Sequence, residues 1–344
     1  MELGEIIGII IFIVTFIIGF CLSVIAHELG HLICGRLSGY RFVSFRLMKW
    51  LWTRDESGKI KFTKSAGLGG MLGQCLMKPC KDEKYFRFWL YNAGGGLVNL
   101  ITGAALIIPF FIVSNDYFGL VLLGMGVSAL MLGVIILIPM KAGGIPNDGR
   151  NIKEAKKSAD AKHGFYMMFK ANAEMSEGKR LTDFAEDAFT VSACADVNNF
   201  LVSQMLLLRA GQLEESGAYE QSYQVLSQPA VEKLPPFYSG QFLLGLMFHE
   251  LVYFGDELSV KRARERMEAK SKDTIFVKLL TMKHPAFVPY HAAKAAFLDN
   301  DIAKARELIE QARKLNYLQQ NSGSEYSVTL MLDKLESRLE GLMK

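Results

Sequence analysis

Three stretches of the chain are almost free of charge: residues 6–33, 88–113 and 118–140. Each is long enough as a helix to cross the roughly 30 Å hydrocarbon core of a bilayer, and the first, at about 42 Å, reaches past the membrane midplane. From residue 151 onward the pattern changes to charged and apolar residues at helical spacing, with no further segment apolar enough to span. The pattern predicts a mainly α protein in two parts: a polytopic membrane core over residues 1–150 and a soluble all-α domain over residues 151–344.

Inside that frame, smaller elements are legible. Residues 40–51 mix apolar and basic side chains and residues 59–63 alternate, which predicts short strands at a membrane surface. The glycine-rich residues 67–73 are too short to span and read either as a re-entrant segment or as a plain loop. In the back half three helical pairs are expected: 200–215 with 219–227, 237–254 with 257–269, and 286–298 with 302–314, turning at Gly217, Gly255-Asp256 and Asn300. The spacing approaches that of tetratricopeptide-like arrays, whose concave faces bind proteins or peptides, although another all-helical domain would give a similar pattern.

Charge adds orientation. The chain has 39 Lys and Arg against 35 Asp and Glu, too balanced to mark a nucleic-acid binder. Locally the balance breaks: residues 36–87 hold twelve basic side chains but only Asp55, Glu56, Asp82 and Glu83. A short basic loop stays in the cytoplasm, so the N-terminus is expected outside and the helical domain in the cytoplasm, in a multi-pass protein of the cell membrane. Glu2 and Glu5 stand where a signal peptide would be basic, so the first span reads as retained. The five cysteines form no Cys-x-x-Cys and read as small residues in a reducing compartment.

The chemistry is concentrated in Ala26-His27-Glu28-Leu29-Gly30-His31, near the end of the first span. Residues four apart share a helix face, so His27 and His31 can bind one Zn²⁺ while Glu28 holds a water; that is a metalloprotease motif. Three ionisable groups in one turn of a spanning helix are expensive in lipid unless paired, metal-bound or wet, and read as functional. Asn99, one turn beyond Gly94-Gly95-Gly96 in the second span, reads either as glue between helices or as a polar group for substrate. Asp148, after the third span in Pro146-Asn147-Asp148-Gly149, is on the same side as the histidines and is the candidate third ligand, or else part of an ordinary turn. Two later patterns were set aside by their spacing. His249-Glu250 has Tyr253 where a second histidine is needed, and His284 and His291 are separated by Pro285 and Pro289.

Together these residues resemble the site-2 protease family of intramembrane zinc metalloproteases. The resemblance is carried by His27-Glu28-Leu29-Gly30-His31, by Ala93-Gly94-Gly95-Gly96-Leu97-Val98-Asn99-Leu100 and by Pro146-Asn147-Asp148-Gly149, and it covers residues 6–150. It implies that His27, His31 and Asp148 are zinc ligands, Glu28 the catalytic residue and Asn99 an active-site amide. The substrate would be a transmembrane protein, unwound and paired with a strand of the enzyme, for which residues 59–63 and 67–73 are the candidates. Departures from the family pattern are local: Ile136 precedes Pro139 by three where Asn is usual, Asn147 replaces a Leu, and Arg150 replaces a second Gly. Rival readings are a catalytically inactive membrane scaffold that binds partners through its helical repeats, and a metal-handling protein without proteolysis. The full set of His27, Glu28, His31 and Asp148 argues against the first, and Glu28, placed for a water rather than for the metal, argues against the second.

Overall fold

The computed structural model describes residues 3–54, 58–64, 72–142, 144–316 and 322–341. It is mainly α-helical, and its contacts divide it into two compact units. The first unit is built on three long apolar helices, α1 (Leu3–Leu37), α2 (Phe88–Phe110) and α3 (Asp116–Leu137), which pack against one another and are the candidate spans. Their outer faces carry exposed Ile9, Ile13, Ile17, Ile101 and Ile135, the arrangement lipid favours. Their inner faces are lined with small residues that let backbones touch. A methyl group on Gly30 would overlap the Gly94 carbonyl, so α1 and α2 meet at this point with no side chain between them.

Element ends follow from local chemistry. Helix α1 stops where Gly39 takes φ of +80°, a left-handed position that glycine adopts without strain. Helix α3 starts on Asn115, whose side chain accepts the Phe118 N–H at 2.9 Å, and ends at the residue before Pro139. Between α1 and α2 the basic segment folds largely as strand: β1 (Tyr40–Leu47), β2 (Trp50–Arg54), β3 (Ile60–Lys64) and β4 (Gly73–Pro79). Antiparallel β2 and β4 flank β1, with Phe45 opposite Trp52 on one side and Cys75 on the other. Every residue of β3 is exposed. Of the glycine-rich candidate segment, residues 67–71 lie outside the described residues, and Gly73 opens β4. After α3, two-residue strands β5 (Lys141–Ala142) and β6 (Ile145–Pro146) lead into α4 (Asp148–Ala155).

The second unit takes in β3 and, beyond residue 154, is helical: α5 (Ala159–Ser176), α6 (Phe200–Glu215), α7 (Tyr219–Leu226), α8 (Pro236–Phe248), a π-helical turn (His249–Phe254), α9 (Glu257–Lys270), α10 (Thr274–Leu280), α11 (Val288–Phe297), α12 (Ile302–Leu315) and α13 (Ser322–Gly341). Gly217, Gly255 and Asn300 sit at turns with positive φ. Helix α11 packs on α12 and α6 on α7, and the core runs through Phe248, Leu251, Phe276, Ala292, Ile309 and Leu332. His249 is fully buried, with Nδ1 2.9 Å from the Gly245 carbonyl, and Tyr253 stacks edge-on to it. Cys34 and Cys75 are buried, while Cys21, Cys80 and Cys194 are exposed; all five are free thiols.

Candidate metal centre

Helix α1 brings His27 and His31 onto one face, with their Nε2 atoms 3.1 Å apart and their rings perpendicular. Asp148, the first residue of α4, reaches the same point: its Oδ2 lies 3.2 Å from each Nε2. The three residues converge although 117 positions separate His31 from Asp148 in sequence. The Asp148 carboxylate oxygen that faces the imidazoles accepts no hydrogen bond.

The donor set fits a zinc ion. Zinc–ligand bonds of about 2.0 Å in a tetrahedron require donors about 3.3 Å apart, close to the 3.1 and 3.2 Å found. His31 has the partner a metal ligand needs on its other nitrogen, because Nδ1–H donates to the Tyr91 carbonyl at 2.8 Å and leaves the Nε2 lone pair facing inward. His27 Nδ1 has no such partner; its ring lies flat against Gly95, where a methyl group would overlap it. Burial alone would raise the Asp148 carboxyl, but the His31 and His27 imidazoles outweigh it and hold the group well below the usual carboxylate range.

Asp148 is placed by a residue that sequence reading treated only as a departure. The Asn147 amide donates to the Ile135 and Ile138 carbonyls, at 3.0 and 2.7 Å, and its oxygen accepts the N–H groups of Met140 and Arg150. One buried side chain therefore ties the end of α3 to the first turn of α4 and caps it. The signal was present as an Asn immediately before Asp-Gly at a helix start. Gly149 follows because any side chain there would strike the Leu137 carbonyl.

Glu28 stands beside the three donors, only 6% exposed, with its carboxyl against the backbone of Gly73 at the start of β4. Arg46, buried on β1, interacts electrostatically with it. Asn99 is fully buried in α2 and neither of its amide atoms has a hydrogen-bond partner. The glue reading of this residue therefore lacks the bond it requires.

A model of peptidase family M50 matches residues 15–329. The chain belongs to this family. M50 is the site-2 protease family, whose members are intramembrane metalloproteases and in general zinc-dependent. The match runs far beyond residue 150, into the helical half of the chain. With three apolar helices of spanning length, it is an integral membrane protein. No curated protein and no solved structure matches it.

Proposed function

We propose that this M50 peptidase is an intramembrane zinc metalloendopeptidase that hydrolyses peptide bonds in or near transmembrane segments. The observation that carries the reading is the convergence of His27 Nε2, His31 Nε2 and Asp148 Oδ2, with Glu28 beside them, among helices apolar enough to span a membrane. Zinc held by these three residues supplies a Lewis acid for the peptide carbonyl and acidifies water toward neutral pH. The Glu28 carboxylate takes the proton of the attacking water and delivers it to the departing amine nitrogen. The Tyr91 carbonyl keeps the His31 proton on Nδ1, and Asn99 offers an unfilled donor and acceptor to the substrate backbone.

A helical substrate hides its carbonyls in i to i+4 bonds, so it must be unwound before attack. Strand β3 is the proposed pairing strand. The basic segment before α2 orients the N-terminus outside and the helical unit in the cytoplasm, where its array binds a cytoplasmic protein or the substrate's own tail. The test is zinc content and cleavage of a panel of transmembrane substrates in detergent, for wild type and Glu28→Gln. The expected result is about one zinc in both proteins, with cleavage by the wild type alone and a loss of about 10²–10⁴-fold in the variant. A wild-type protein that binds no zinc overturns the reading.

A further inference from the structure

Strand β4 runs along α1 and roofs the candidate centre. At its start the Gly73 backbone lies on the Glu28 carboxyl; four residues later Met77, fully buried, lies on Gly35, where a methyl group would overlap its sulfur. Between these two contacts, the Cys75 carbonyl accepts a hydrogen bond from the Tyr91 hydroxyl. Tyr91 belongs to α2, is 4% exposed, and is the residue whose own carbonyl accepts the His31 Nδ1–H. Its ring also packs beside the His31 imidazole, with centroids 5.2 Å apart.

We propose that Tyr91 is a positioning residue for catalysis, a single clamp that fixes β4 over Glu28 through its hydroxyl and the His31 ring through its carbonyl. The two bonds are separable, because one uses the side chain and the other the main chain. The proposal rests on the protease reading for its kinetic consequence, but the clamp itself is a geometric statement that can be tested without turnover. If the hydroxyl is lost, β4 keeps its pairing with β1 but loses its tie to α2 at its midpoint, and the surface that confines the Glu28 carboxyl loosens. The imidazole keeps its carbonyl partner, so the metal donors keep their orientation.

Tyr91→Phe in the full-length protein tests this, since it removes one oxygen and retains the ring and the carbonyl. Two cysteines supply a readout independent of activity. Cys75 lies in β4 at the clamp, whereas Cys34 is buried on α1 beside Gly94. Burial first, and then the Glu28 charge, push the Cys75 thiol up to about 12, so in the closed structure it is shielded and unreactive. Alkylation by N-ethylmaleimide, mapped by mass spectrometry, is expected to quicken at Cys75 by about fivefold, the opening that one buried hydrogen bond of ordinary strength suppresses. Cys34 should react as in wild type, and zinc content should be unchanged. Turnover number should fall about tenfold or more while KM stays within about twofold, as expected when a reacting group is misplaced and binding is retained.

Cys75 protection and turnover number both at wild-type levels would overturn the proposal. So would parallel exposure of Cys75 and Cys34 with loss of zinc, which would make Tyr91 a general support of the fold. If the wild-type protein cleaves nothing, the protease reading fails on its own experiment, and alkylation still decides for or against the clamp.

Discussion

The chain contains His-Glu-Leu twice, at residues 27–29 in α1 and at residues 249–251 in the π-helical turn, and the surroundings of the two copies differ at each position that bears on chemistry. In the first copy a second imidazole follows after four residues and a carboxylate arrives from α4, so that three donor atoms face one another within 3.2 Å. In the second copy the fourth residue is Tyr253, whose ring packs on His249, and Glu250 is consumed by structure: it accepts from the Tyr223 hydroxyl at 2.7 Å and from Arg266 Nε at 3.1 Å. A buried carboxylate that is fully paired is a strut. Glu28 instead lies beside the three convergent donors, with the Gly73 backbone and the charge of Arg46 against it, a setting that suits the proton transfer proposed for it.

The sharpest way to break that contrast is to make the same substitution in both copies. Glu28→Gln should abolish cleavage, by the 10²–10⁴-fold loss expected of a missing proton carrier, with zinc content and thermal midpoint as in wild type. Glu250→Gln should do the reverse. It removes the charge that Arg266 faces and weakens the Tyr223 bond, which should destabilise the helical unit by about 2 kcal/mol, or roughly 4–8 °C in its thermal midpoint, with zinc content intact. Faster hydrogen exchange confined to α8 and α9 would confirm where the loss occurs. Zinc loss in Glu250→Gln, or an unfolded Glu28→Gln, would remove the distinction drawn between the two copies.

The next effect concerns how the third donor is held. Asn147→Ala deletes two bonds to carbonyls at the end of α3 and two from backbone N–H groups, leaving Asp148 on a first turn with no cap. Partners of this kind, one step out from the metal, are worth about 10–100-fold in metal affinity, and zinc competition with a chelator should show a loss of that size. An unchanged affinity would mean that Asp148 is positioned by Gly149 and the backbone alone. Among the described residues, the groups that face the second His-Glu pair, Tyr223, Arg266 and Glu214, come from helices of the same unit.

These differences also mark how far the sequence could be read. The zinc-type donors were legible because helical spacing alone puts His27 and His31 on one face, and a lone carboxylate after a third span limited the choice to Asp148. The three spans were equally legible, since length and apolarity suffice; the structure extends α1 to Leu3–Leu37, ends α2 at Phe110 and sets α3 at Asp116–Leu137. The roles of Asn147 and Tyr91 were not. Asn147 acts through the Ile135 and Ile138 carbonyls, and Tyr91 through the Cys75 carbonyl and through its own carbonyl, which accepts the His31 Nδ1–H; no side-chain pattern encodes a carbonyl's position. In the segment between α1 and α2, the mixed pattern of residues 40–51 and the alternation of 59–63 make short strands legible. What escaped was that β4 turns inward, which depends on Gly73 being small enough to lie on Glu28.

The smallest expected effect tests the second His-Glu pair from its other side. Glu214 on α6 places Oε1 3.7 Å from His249 Nε2, yet each group is governed first by burial: the Glu214 carboxyl is pushed up from 4.5 to about 7 and the His249 imidazole down from 6.5 to about 4. For Glu214 the folded state keeps a proton that the unfolded chain releases, so its contribution to stability is lost as pH rises from 4.5 to 7. For His249 the folded state lacks a proton that the unfolded chain binds, so its contribution is lost as pH falls from 6.5 toward 4. The two slopes oppose each other between pH 4.5 and 6.5 and flatten the profile of the wild type. Glu214→Gln keeps an acceptor for the Ser222 hydroxyl while removing one slope. At pH 8 the variant should be more stable than wild type, by about 1 kcal/mol once the partial exposure of the side chain is allowed for, or roughly 2–4 °C. That advantage should vanish by pH 4.5, and the variant should lose stability steadily on acidification below pH 6.5. Thermal unfolding followed by tyrosine circular dichroism is weighted toward this unit, because eight of the twelve tyrosines lie beyond residue 153 while the three tryptophans are residues 50, 52 and 89. A variant with the wild-type profile would mean that the Glu214 carboxyl binds protons equally in the folded and unfolded states, so that burial does not govern it.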